Sequence, residues 1–182
     1  MERSINIKLI TLTALFTALI AVLSQISVPL PSGVPVTLQT FAVALCGYTL
    51  GKKYAVFSVI SYLILGLTGV PVFANFTAGP AVFAGYAGGF LYGFIIMAFL
   101  CGIGAGIKNK WIALLIGISG LLLCHLCGII WFCIITGTPF FSAALTVSVP
   151  FMIKDVISVA AAWIAGSKLN KLISEKINYR LS

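Results

Sequence analysis

Charged residues divide this chain into long apolar runs. No residue from 9 to 51 is charged, none from 54 to 107, and none from 111 to 153. The runs are continuous, whereas the strands of a membrane barrel alternate polar and apolar residues about every second position, so the runs read as helices. A helix that crosses a bilayer needs about 20 predominantly apolar residues. The first run holds two such helices and a turn. The second holds two and a longer loop. The third holds one, a loop, and the start of another that continues to about residue 167. The pattern predicts six spans, at about 8–28, 36–51, 54–70, 88–107, 111–134 and 148–168, arranged as three helical hairpins. The whole chain, 1–182, reads as a single integral membrane domain of the all-α class, a six-transmembrane-helix bundle.

The positions of the charges add an orientation. Arg3 and Lys8 precede the first span, Lys52 and Lys53 join the second to the third, and Lys108 and Lys110 join the fourth to the fifth. Lys168, Lys171, Lys176 and Arg180 follow the sixth, while the alternate loops, at about 29–35, 71–87 and 135–147, carry no charge. Cytoplasmic loops collect Lys and Arg, so both termini are expected in the cytoplasm. The N-terminal apolar stretch is too long for a signal peptide and lacks an obvious small-residue cleavage site, so it reads as the first span.

Composition excludes the other broad classes. The chain is 61% hydrophobic and 8% charged, against about 45–50% and about 25% in soluble domains. A soluble globular domain and a disordered chain are both ruled out. The net charge of +8 is spread over small clusters between spans and forms no basic stripe, so it is a topology signal with no nucleic-acid partner behind it. The segment from about Lys168 onward is a basic amphipathic end suited to the lipid surface. Cys46, Cys101, Cys124, Cys127 and Cys133 all fall within spans and read as buried thiols.

Little material remains for chemistry: three acidic residues (Glu2, Asp155, Glu175) and one histidine, His125. Lys154-Asp155 stands out, because a charge within a span costs about 2.5–3.5 kcal/mol or more and marks a functional site by default. Neighbours on a helix point about 100° apart, so each of the two is expected to find its own partner, on another helix or on a ligand. Pro150 suits the first turn of that helix and Ser148 its cap, and the helix dipole there favours an anion. The loops at 28–41 and 69–90 are apolar, rich in Pro and Gly, and carry few polar groups (Gln39, Asn75, Thr77, Tyr86). That composition suits the lid or wall of an apolar pocket. Ala14, Ala18 and Ala21 form a small-residue face on the first span, fit for close packing within the bundle or for docking a membrane partner. His125 lies between Cys124 and Cys127, but a closed zinc site needs four ligands and no second pair is in evidence, so no metal is expected. There is no Ser/His/Asp set, HExxH or Walker A pattern, so neither catalytic residues nor an ATPase of its own is expected.

The segment Pro29…Gly33-Val34-Pro35-Val36-Thr37-Leu38-Gln39-Thr40-Phe41 resembles the signature of the BioY family, the biotin-binding S components of energy-coupling factor (ECF) transporters. Gly66-Leu67-Thr68-Gly69-Val70-Pro71-Val72-Phe73-Ala74, Gly88-Gly89-Phe90-Leu91-Tyr92-Gly93-Phe94 and Pro150-Phe151 to Asp155 match in order, so the resemblance covers residues 8–168. It implies a high-affinity biotin-binding subunit in the plasma membrane of a bacterial-type cell, with an extracellular vitamin pocket and no enzyme activity or cofactor. The implied partners are a membrane T subunit, docked on the Ala14/Ala18/Ala21 face, and paired cytosolic ATPases. The ureido group of biotin would meet Asp155 and Asn75. Its valerate would meet Lys154. Phe73, Phe76 and Tyr86 would wall the rings, with Gln39 a further polar contact. The chain departs from the family pattern in two places. Lys154 precedes the aspartate where the family has Gly, and Ser158 stands where it has Lys. Gly85-Tyr86-Ala87-Gly88-Gly89 replaces Gly-Pro-Thr-Gly-Gly. Residues 154 and 158 share a helix face one turn apart, so a cation at 154 still reaches the carboxylate from further out. An S component for another small anionic vitamin such as lipoate is the nearest alternative. Further off stand a small intramembrane enzyme using His125 and a stand-alone facilitator or channel.

Overall fold

The computed structural model describes residues 7–177; Glu2, Arg3 and Arg180 lie outside them. Five helices are long and apolar enough to cross a membrane: α1 Ile7–Ser24, α2 Gln39–Leu67, α4 Gly88–Ala105, α5 Lys110–Thr136 and α7 Val149–Ile177. Short helices α3 (Pro80–Ala84) and α6 (Phe140–Val147) lie in connections that the apolar pattern assigns to loops. The first connection folds as a small antiparallel hairpin of β1 (Ser27–Val28) and β2 (Val36–Thr37).

The 29-residue α2 is two helices in one. Gln39 Nε2 donates to Tyr62 Oη at 2.6 Å across 23 residues, a separation that a straight helix would stretch to about 34 Å. The chain therefore reverses inside α2. Gly51 makes the reversal, with φ 72° and ψ 171°, a region essentially reserved for glycine. Arms 39–50 and 52–67 run antiparallel, with Lys52 and Lys53 at the turn. The second and third expected spans correspond to these arms.

α4 packs between α2 and α5, α7 packs on α2 and α5, and α1 covers α2. Two buried tyrosines set the ends of the core. Tyr48 donates to the Ala113 carbonyl and fills the end where the α2 turn, the α4–α5 connection and the α7 tail meet. There Asn170 Nδ2 donates to Thr49 O at 2.8 Å. Tyr62 belongs to the opposite end, beside the cavity described below. The connecting lysines (Lys52, Lys53, Lys108, Lys110) gather at the Tyr48 end. Large apolar side chains such as Leu15, Phe57, Leu115, Ile153 and Ile157 are exposed around the bundle. Only a hydrocarbon surround makes such a surface stable, and the chain is a multi-pass membrane protein.

The structure moves several expected boundaries. α1 stops at Ser24, four residues early, because Ser24 and Gln25 turn their side chains back to the Ala21 carbonyl. α7 continues past 168 to Ile177, carrying the basic end as a helical extension. Ser148 does not cap α7 through its hydroxyl, which bonds His125 instead.

Replacing Gly51 by Val forces a β-branched residue into this glycine-only geometry. The expected loss is about 1–3 kcal/mol of stability, seen as a lower midpoint of thermal unfolding in detergent. An unchanged midpoint would show that the turn tolerates another conformation.

Candidate functional site

A cavity of about 250 Å³ opens at the end of the bundle opposite the connecting lysines. Its floor comes from helices and its rim from the first two connections. β2 and the start of α2 supply Thr37, Gln39 and Thr40; the second connection supplies Phe73, Asn75 and Tyr86; α4 and α5 supply Phe90, Leu121 and His125; α7 supplies Phe151, Lys154 and Asp155.

The polar pole of the cavity is built on α7. Asp155 is 4% exposed and sits in the second turn. Lys154 Nζ lies 2.6 Å from its Oδ1. The expectation that these neighbours would each seek a separate partner is thus incorrect. The 100° between their Cβ directions is overcome by the four-carbon lysine stem, which curls back to the carboxylate. Lys154 also donates to the Thr37 carbonyl at 2.6 Å, tying α7 to β2. An ammonium has three donors, and these contacts use two. On the other side, His125 Nε2 approaches Asp155 Oδ2 at 3.3 Å. His125 Nδ1 meets Ser148 Oγ at 2.9 Å, and the Phe90 ring stands edge-on to the imidazole.

Thr37 continues this polar chain across the bundle. Its hydroxyl donates to Gln39 Oε1, and Gln39 Nε2 donates to Tyr62 Oη. Each end of the Gln39 amide thus has one protein partner, leaving one N–H and one lone pair. Gln39 lines the cavity as a brace between β2 and the second arm of α2.

The apolar walls depend on how the second connection is anchored. Phe73, 2% exposed, plugs the gap beside Gly66. Any Cβ at that position would collide with the Phe73 ring. Tyr62 and Phe83 meet Phe73 edge-on at 5.3 and 5.5 Å. Ser24 Oγ donates to the Val72 carbonyl, and the Phe76 N–H donates to Gln25 Oε1, so α1 holds this connection down. Asn75 adopts the left-handed region at φ 56°, which asparagine tolerates better than most residues. Its Oδ1 accepts from Ser27 Oγ at 2.8 Å, which leaves its N–H groups as the half that can donate to a ligand. Tyr86 lies over Gly33 and against Phe132, roofing the cavity where the first two connections meet.

Of the residues expected in a pocket, the structure brings Asn75, Asp155, Lys154, Gln39, Phe73 and Tyr86 into one cavity lining. Phe76 is 71% exposed and is not among the lining residues. Its backbone, not its ring, serves the site. On α1, Ala14 and Ala18 are exposed, whereas Ala21 is half-buried against the core, so the three do not present one continuous surface. The sequence reading missed His125, Thr37, Phe90 and Phe151 as lining residues. A lone imidazole deep in an apolar span needs a polar partner, and Asp155 is the one buried acid among the described residues. Among the described residues, no group of three or more His, Cys, Asp or Glu is placed to hold a metal ion.

Comparison with known proteins gives a consistent picture. A sequence profile of the BioY family matches residues 1–175. A biotin transporter BioY from Thermotoga maritima is 41% identical over 164 residues, covering 89% of this chain and 95% of that protein. A probable biotin transporter BioY from Pyrococcus horikoshii is 39% identical over 163 residues, covering 89% and 96%. The crystal structure of an S-component for biotin from an ECF-type ABC transporter superposes with a TM-score of 0.84 at 27% identity, covering 94% of this chain and 95% of that one.

The ion pair makes the single and double changes unequal. Lys154→Met leaves a buried carboxylate without its cation. It should cost about 1–3 kcal/mol, less than a fully buried pair because the lysine side chain is 30% exposed. Adding Asp155→Asn should recover part of that loss. Thermal unfolding of both variants in detergent checks this, and a double variant less stable than the single one would contradict it.

Proposed function

The chain belongs to the BioY family, and from that premise we propose that it is the biotin-binding S component of an ECF-type uptake system in the plasma membrane of a bacterial-type cell. The observation that carries the proposal is the Lys154–Asp155 pair at the polar pole of the cavity. Biotin is a small anion with an apolar bicycle and tail, and its ureido group has two N–H donors and one carbonyl. The Asp155 carboxylate accepts from ureido N–H, the donor half of the Asn75 amide serves the ureido carbonyl, and the third donor of Lys154 turns to the valerate. Phe73 and Tyr86 wall the rings. Gln39, in the same lining, braces Thr37 and is a further polar contact for the ligand.

On this reading the protein spans the membrane six times, with each arm of α2 one span. The connecting lysines face the cytoplasm with both termini, and the cavity opens outside. The chain is one integral domain that binds and delivers, with no catalysis and no ATPase of its own. The exposed Ala14 and Ala18 on α1 suit close packing against a membrane T subunit, and paired cytosolic ATPases supply the energy.

The test is labelled-biotin binding to the purified protein in detergent, beside Asp155→Ala, with lipoate, thiamine and riboflavin as competitors. Stoichiometric binding that the competitors leave intact and that Asp155→Ala weakens by more than about tenfold is expected. Absence of binding by folded protein, or displacement by lipoate, would overturn the assignment of biotin. Lys154→Met should weaken biotin more than biotin amide, which lacks the charge; equal losses would remove the proposed contact with the valerate.

A further inference from the structure

We infer that His125 is a positioning residue for the ligand site: it presents one N–H to Asp155 and so holds the carboxylate in the plane that accepts ureido donors. This rests on the reading of the cavity as a biotin site. His125 stands between Cys124 and Cys127 on α5.

The geometry fixes the imidazole on three sides. Its Nε2 faces Asp155 Oδ2 at 3.3 Å, its Nδ1 faces Ser148 Oγ at 2.9 Å, and Phe90 packs edge-on at 5.6 Å. His125 and Ser148 are 4% and 3% exposed. Ser148 lies at the break between α6 and α7, where its carbonyl accepts from Phe151 and Met152 and its hydroxyl is turned into the bundle. A carboxylate offers no proton, so the Nε2 side carries the N–H; the Ser148 hydroxyl, which can donate or accept, meets Nδ1 in either case.

The titratable groups around the ring support the same assignment. α7 supplies Asp155 and, beyond it, Lys154 on the other carboxylate oxygen. α5 itself supplies Cys124 and Cys127, and α4 supplies only Phe90. Lys154 faces Oδ1 and His125 faces Oδ2, and the Thr40 hydroxyl is a further hydrogen-bond partner of the carboxylate. Without the imidazole the carboxylate keeps Lys154 and Thr40 but loses the group that faces Oδ2.

The chain's having one histidine makes the inference directly readable. Protein carrying 15N-histidine and a histidine-free affinity tag gives the imidazole signals of His125 alone. We expect Nε2 to carry a proton before and after biotin is added, and a changed Nδ1 signal in Ser148→Ala. A ring protonated at Nδ1 alone would overturn the inference. Binding supplies the second readout. His125→Leu should weaken biotin by about tenfold or more. His125→Gln, whose amide nitrogen reaches as far as Nε2, should restore most of it. His125→Asn, whose amide nitrogen reaches only as far as Nδ1, should not. Thermal unfolding in detergent accompanies each variant; if the leucine variant does not fold, the glutamine–asparagine contrast decides. Wild-type affinity in His125→Leu, or equal affinities for the glutamine and asparagine variants, would remove the positioning role while leaving the biotin site standing. Absence of biotin binding by the folded wild-type protein would remove both.

Discussion

A buried carboxylate in a membrane bundle has to be matched, and most of the upper half of this protein is arranged around that requirement. Asp155 takes a cation on one oxygen and an imidazole on the other. Lys154 passes the connection on to the Thr37 carbonyl. Thr37 passes it to Gln39 and Gln39 to Tyr62. Counted from Ser148, the chain of contacts links the α6–α7 break, α5, α7, β2 and both arms of α2. Each link satisfies a polar group that would otherwise be costly in a low-dielectric interior. Elements far apart in sequence are thus held in register by polar contacts, and the apolar packing fills in around them.

The same requirement explains why irregular backbone is tolerated beside the cavity. Backbone groups at membrane depth need partners within the protein. The first connection pairs with itself through β1 and β2 and with α7 through Lys154. The second is pinned to α1 by Ser24 and Gln25 and to α2 by the Phe73 plug. A lid built this way is apolar toward the ligand and still satisfied along its backbone. That accounts for connections containing so much Pro, Gly and aromatic residue and so little charge.

What is legible in the sequence follows from what is local. The apolar runs and their lysine boundaries report the cost of inserting each segment, so the amino-acid pattern alone shows a chain built of long apolar helices. Lys154 and Asp155 announce themselves because a charge in a span is expensive. The partners of those charges are not legible. Pairing within one helix depends on the curl of a flexible lysine stem, which the angle between neighbouring Cβ directions does not reveal. The joining of His125 to Asp155 depends on how α5 meets α7. α6 hides in an uncharged connection because its composition, Phe140 to Val147, resembles that of the loops around it. The aromatic residues of the second connection alternate between anchoring, as at Phe73, and exposure, as at Phe76, and sequence spacing alone does not say which ring turns inward.

The two ends of the bundle are built for different tasks. At the cavity end, loops and long polar side chains leave a space bounded by groups that can exchange one partner for another. At the opposite end Tyr48 is fully buried, bonded to the Ala113 carbonyl, with Gly117 and Gly166 close around it. Backbones approach there too closely to leave comparable room. On the proposed reading, a ligand enters from the cavity end and meets a packed floor. Unloading on the far side then requires the whole subunit to be reoriented, or its helices to be parted, by something that supplies energy from outside this chain. A closely packed floor beneath a polar-poled cavity suits a subunit that captures its cargo and depends on partners to move it.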